Sequence, residues 1–119
     1  MTENVSKLQV IERQIDDVTI LVLAGEMVVD DGDLVFWRQI RDQVAKGRVK
    51  LLVDLGGVTY IDSAGVGMMV GKLKTVREAG GVMKLVNLTN RNQRLLALLK
   101  LGTVFETFED EASALRSFS

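Results

Sequence analysis

Short β-rich apolar runs alternate along this chain with stretches whose apolar side chains return every three or four residues, and that alternation constrains the fold more than any other feature. Val18-Thr19-Ile20-Leu21-Val22-Leu23-Ala24 is apolar on both alternating faces, as a central strand requires, and Lys7 to Arg13 alternates as an outer strand. Asp16-Asp17 between them supplies the turn of a hairpin. From there the order reads helix, strand, helix, strand, helix, strand, helix. Strand–helix–strand passages cross over right-handedly, so they build a parallel sheet packed with helices. The expectation is an α/β fold, a mixed, largely parallel sheet of about five strands with about four helices.

The boundaries follow from caps and breakers. Asp33 is expected to cap a helix through Lys46 that buries Leu34, Trp37, Ile40 and Val44, with Phe36 widening the face and Gly47 ending it. Val49 to Leu55 reads as the next strand, Ser63 to Ala79 as the next helix, and Val82 to Val86 as the strand after Gly80-Gly81. Thr89 or Asn90 then opens a helix through Leu101 with Leu95, Leu96, Leu98 and Leu99 inside, stopped by Gly102. A short strand is expected around Val104-Phe105. Thr107 with Asp110 is a variant of the capping box, and Ala112, Leu115 and Phe118 would form the buried side of a last helix.

Length and composition bound the rest. The 119 residues, 47% of them hydrophobic, suit one domain spanning 1–119 with a core that needs neither disulfide nor structural metal. The apolar runs are too short to cross a membrane, and Met1-Thr2-Glu3-Asn4 lacks a signal-peptide plan, so a cytoplasmic protein with no membrane insertion is expected. With no cysteine and no histidine, thiolate zinc sites, cysteine nucleophiles and the commonest general base are excluded. A formal charge of -1 gives no field to hold a nucleic acid directly. Asp30-Asp31-Gly32-Asp33 lacks the spaced ligands and distal Glu of a calcium loop and reads as a solvated turn before a helix. No metal, no cofactor and no enzymatic activity are expected.

One segment concentrates the functional signal. Leu51-Leu52-Val53-Asp54-Leu55 leads through a turn into Tyr60-Ile61-Asp62-Ser63-Ala64-Gly65-Val66-Gly67, after which Val66, Met69, Val70, Leu73 and Val76 repeat at helical spacing. Ser63 is therefore the first-turn or N-cap residue of that helix. Its hydroxyl would stand among unpaired N–H groups at the positive end of the helix dipole, where added negative charge is tolerated. Read alone, it is an ordinary helix cap. Asp62 either orients Ser63 or favours the dipole as an ordinary helix-start acid. With no base beside it, Ser63 is a weak nucleophile, and hydrolase chemistry is not supported. Gly65 and Gly67 are not a phosphate-binding loop, because the Lys-Ser or Lys-Thr that would follow is missing and Lys72 lies too far along. At about 100° per residue, Ser63, Gly67, Gly71 and Lys74 share one strip, whose glycines permit either a partner or a neighbouring element to approach closely. Arg91, Arg94 and Lys100 read as the wet face of their helix.

Asp62, Ser63, Ala64, Gly65, Val66 and Gly67 resemble the signature of the STAS domain family, named for sulfate transporters and anti-sigma factor antagonists. The likeness extends through Ala79-Gly80-Gly81, Met83-Lys84-Leu85-Val86-Asn87, the leucine-rich helix after Asn90 and Phe105-Glu106-Thr107-Phe108. The resemblance implies an anti-sigma factor antagonist that binds a serine-kinase anti-sigma factor through residues 62–67, releases a sigma factor, is switched off by phosphorylation of Ser63 and is reset by a phosphatase. It implies as an alternative a non-switching STAS subunit of a transporter or a larger signalling assembly. Many such antagonists carry Gly-Glu-Leu-Asp after the second strand. Here Gly25-Glu26-Met27-Val28 stands instead, so an acid needed there would have to come from Asp30 or Asp31.

Overall fold

The computed structural model describes residues 7–28 and 31–119. Its elements, in chain order, are β1 (Leu8–Ile15), β2 (Val18–Met27), α1 (Asp31–Ala45), β3 (Lys50–Ile61), α2 (Ser63–Glu78), β4 (Val82–Val86), α3 (Asn90–Leu98), β5 (Thr107–Phe108) and α4 (Glu111–Arg116). The strands lie side by side in the order of the sequence, β1 antiparallel to β2 and each later pair parallel. The expected α/β architecture of five strands and four helices is what forms.

Because the sheet grows in one direction, successive right-handed crossovers lay α1, α2 and α3 on the same face. One core cluster accordingly joins Phe36 and Ile40 of α1, Val66, Met69, Leu73 and Val76 of α2, and Leu96 of α3 to Leu21, Leu23, Leu51, Val53 and Leu85 of the sheet. The opposite face is narrower: Val18, Ile20, Leu52 and Val86 pack under Ala114, with Leu115 and Phe118 at the edge. β2 and β3 therefore feed both cores from alternate residues, the two-sided burial read from Val18–Ala24. β3 runs further than expected, to Ile61, through two register shifts against β2 that add residues between Asp54 and Tyr60.

Several expected details are corrected. Asp33 lies inside α1, which begins at Asp31; Asp30 and the side chain of Asp31 fall outside the described residues. The buried stripe of α1 is Phe36, Ile40 and Gln43, while Leu34 is 60% exposed. Of the two caps expected for α3, Thr89 or Asn90, the structure uses Thr89, its Oγ1 accepting from the Asn92 N–H at 3.1 Å. That helix stops at Leu98, where Lys100 takes a φ of 59° and the Leu101 N–H reaches the Leu96 carbonyl at 2.9 Å, so Leu98 is left exposed and Gly102 is not the stop. The strand expected at Val104-Phe105 forms at Thr107–Phe108, because Phe105 is spent as a buried core side chain and the ladder to β4 starts only after it. Asp110 rather than Thr107 caps α4, whose buried residue is Ala114; Ala112 is exposed.

Candidate functional site

The parallel strands β2 and β3 both end at the edge of the sheet where α1 and α2 begin. Ile61, the last residue of β3, is buried, and that anchors the turn that follows. Asp62 is the N-cap: its backbone is extended (φ -96°, ψ 176°) and its Oδ1 accepts from the Gly65 N–H at 2.7 Å. Its carbonyl accepts from the Val66 N–H at 3.0 Å. Ser63 is the first helical residue and is exposed, as is Ala64. Both carboxylate and serine are good caps, and the carboxylate takes the role, leaving the hydroxyl free to face outward.

Of the six motif residues, Gly65 and Val66 turn inward. A Cβ on Gly65 would stand 2.2 Å from the Met27 carbonyl oxygen, so only glycine lets α2 start this close to the end of β2. Gly65 and Val66 are buried and support the turn from below. Gly67 is exposed, and a Cβ there would meet nothing within 4 Å. Gly71 faces α1: its Cβ would lie 3.6 Å from Trp37 Cζ2, an ordinary contact that leaves room for a side-chain methyl. The open strip thus consists of Ser63, Ala64, Gly67 and Lys74.

The first turn of α2 contains no acidic side chain, and the capping Asp62 sets its carboxylate against the positive helix end. Val28 follows β2 where the expected acid would stand. Tyr60, three residues before Ser63, is 38% exposed and stacks under Arg91 of the first turn of α3, with Cζ 4.5 Å from the ring centroid. Arg91 is exposed like Arg94 and Lys100, and it makes this aromatic contact.

The profile of the STAS domain matches residues 9–114. This chain belongs to the STAS domain family. Its similarity to curated STAS relatives is spread over most of its length: it is 34% identical over 99 residues to the anti-sigma-B factor antagonist of Listeria monocytogenes, covering 83% of this chain and 85% of that protein. It is 33% identical over 84 residues to the anti-sigma-B factor antagonist of Bacillus subtilis, covering 71% of this chain and 75% of that one. The crystal structure of TM1081 from Thermotoga maritima superposes with a TM-score of 0.80 at 26% identity, covering 91% of this chain and 92% of the other. As a STAS domain it resembles anti-sigma factor antagonists. Among the described residues, no group of three or more acidic side chains is placed to hold a metal ion, and no helix is long and apolar enough to cross a membrane.

A pair that the sequence reading left unused joins α2 to α1. Lys72 of α2 is buried against Asp33 of α1. Its position was readable: on the helical wheel it falls about 40° from Val76 and about 60° from Met69, beside the buried stripe.

Proposed function

We propose that this STAS domain is an anti-sigma factor antagonist: unmodified, it binds a kinase-type anti-sigma factor through the exposed strip at the start of α2, releasing a sigma factor, and phosphorylation of Ser63 ends that association. The observation that carries the reading is that Ser63 is exposed on a rigid corner, with its neighbour Asp62 doing the capping. A kinase can reach such a hydroxyl without unfolding the helix. The likeness to proteins named anti-sigma factor antagonists supports the choice of partner.

The charge arithmetic fits a switch. A phosphate brings about -1.5 to -2 charge at neutral pH, and the first-turn N–H groups of α2 tolerate it, so the fold survives modification. Its cost falls on the interface, where the phosphate stands beside the Asp62 carboxylate and must be desolvated against the partner. A loss of about 2.7 kcal/mol weakens binding a hundredfold. A phosphatase restores the binding form.

Calorimetric titration against the anti-sigma factor purified from the same cells tests this. Ser63→Ala is expected to bind as the unmodified chain does and to resist modification. Ser63→Asp is expected to fold normally and bind roughly a hundredfold more weakly. Equal affinities for Ser63→Asp and the unmodified chain would remove Ser63 from the interface. Isolation of the native complex with transport components in place of a kinase would favour the reading as a non-switching subunit.

A further inference from the structure

A lysine in the middle of a surface helix ordinarily reaches water. Lys72 does not: its side chain is 1% exposed, and its partner Asp33 is 18% exposed. The ammonium pairs with the Asp33 carboxylate, reaches back to the Met68 carbonyl oxygen at 3.4 Å, and stands 4.9 Å from the Phe36 ring centroid and 4.6 Å from that of Trp37. Burial lowers the pKa of Lys72 below its ordinary 10.5, while the bond to Asp33 works against that shift.

For stability alone such a pair is a poor choice, since apolar side chains of similar volume do as well or better in the same space. What a buried pair supplies is register, because sliding either helix strands a charge. Its location gives that register a use. The lysine chain runs back along α2 toward Ser63 and ends on the first turns of α1. Next to Asp33, Leu34 is a large apolar side chain left 60% exposed in the first turns of α1, and α1 and α2 both start from the same edge of the sheet, where the parallel strands β2 and β3 end.

We propose that Lys72 and Asp33 form a positioning pair for the Ser63 surface: they fix the start of α1 against α2, so that the kinase-type anti-sigma factor meets Leu34 and the Ser63 strip as one rigid surface. This rests on the reading of Ser63 given above. The pair touches no partner atom itself and acts through the helix it holds.

The test combines an apolar replacement with a direct contact variant. Asp33→Leu/Lys72→Met keeps the volume and removes the charges; it is expected to retain cooperative thermal unfolding, to bind the purified anti-sigma factor roughly tenfold more weakly, and to raise KM for phosphorylation without a matching fall in kcat. Leu34→Ala is expected to weaken binding by a similar factor, and the two changes together by less than the product of their separate effects. A folded double variant with unmodified affinity and KM overturns the proposal. Should the double variant fail to fold, Leu34→Ala decides, being exposed, and unmodified affinity there overturns the proposal as well. Ser63→Asp in the same titration separates the two claims. If Ser63→Asp alone weakens binding, only the positioning role fails; if Ser63→Asp binds like the unmodified chain, the reading of Ser63 itself fails.

Discussion

The two glycines flanking Val66 look alike in the sequence and do opposite things. Gly65 is required from inside, since a Cβ there would run into the backbone of β2; Gly67 faces open space. Gly65→Ala is therefore expected to destabilise the fold by about 1–3 kcal/mol, by forcing α2 away from β2. Gly67→Ala is expected to stabilise it by about 0.5–1 kcal/mol, by removing a flexible residue from a helix interior. Denaturant titration of both variants checks the pair of signs, and a destabilised Gly67→Ala would mean that the strip is not open. The Asp-Ser pair was legible as a helix start, but not which of the two would cap, because both side chains suit that position. Geometry gives the cap to Asp62 and the outward place to Ser63. The inward role of Gly65 was not legible, because close approach depends on an element distant in sequence, β2.

Element existence was readable from periodicity, while faces and ends were blurred wherever a polar side chain is buried or an apolar one is not. On α1 the sequence offers a stripe through Leu34, Trp37, Ile40 and Val44, yet the buried line passes through Gln43, which accepts a hydrogen bond from Thr19 Oγ1 at 3.0 Å. A hydrophobicity pattern cannot choose glutamine over valine; the partner on β2 does. Lys72 escapes for the same reason, its charge being answered by Asp33. Helix α4 shows how a short element is held. Asp110 accepts from the Ser113 N–H at 2.7 Å and from its hydroxyl at 3.1 Å, and these bonds, the backbone one foremost, lower its pKa below the ordinary 3.8. With the folded pKa depressed, the contribution of this cap is complete above the unfolded value of about 3.9 and is lost as pH falls through the folded one. Asp110→Asn still caps but cannot titrate in that range, so it is expected to flatten the acid dependence of stability between those two pKa values. Urea midpoints across the acid range check this; an unchanged slope would remove the cap from the acid response.

At the scale of the whole molecule the topology was the most legible property. A chain that alternates helix and strand after one hairpin, with right-handed crossovers and strands added in order, must gather the starts of α1, α2 and α3 at one end of its sheet. On or next to those starts lie Ser63, exposed on its corner, Arg91 stacked on Tyr60, and Leu34 beside Asp33. The motif was legible but Leu34, Asp33 and Arg91 as its company were not, since these three lie far from it along the chain. The account stands on Ser63 being where a partner kinase writes its signal. Mass spectrometry of the protein taken from its own cells, with every phosphate mapped to a residue, addresses this most directly. The expected result is a fraction of molecules carrying one phosphate, on Ser63, and that fraction failing to bind the anti-sigma factor; phosphate on another residue, or full binding by the Ser63-phosphorylated form, would contradict it.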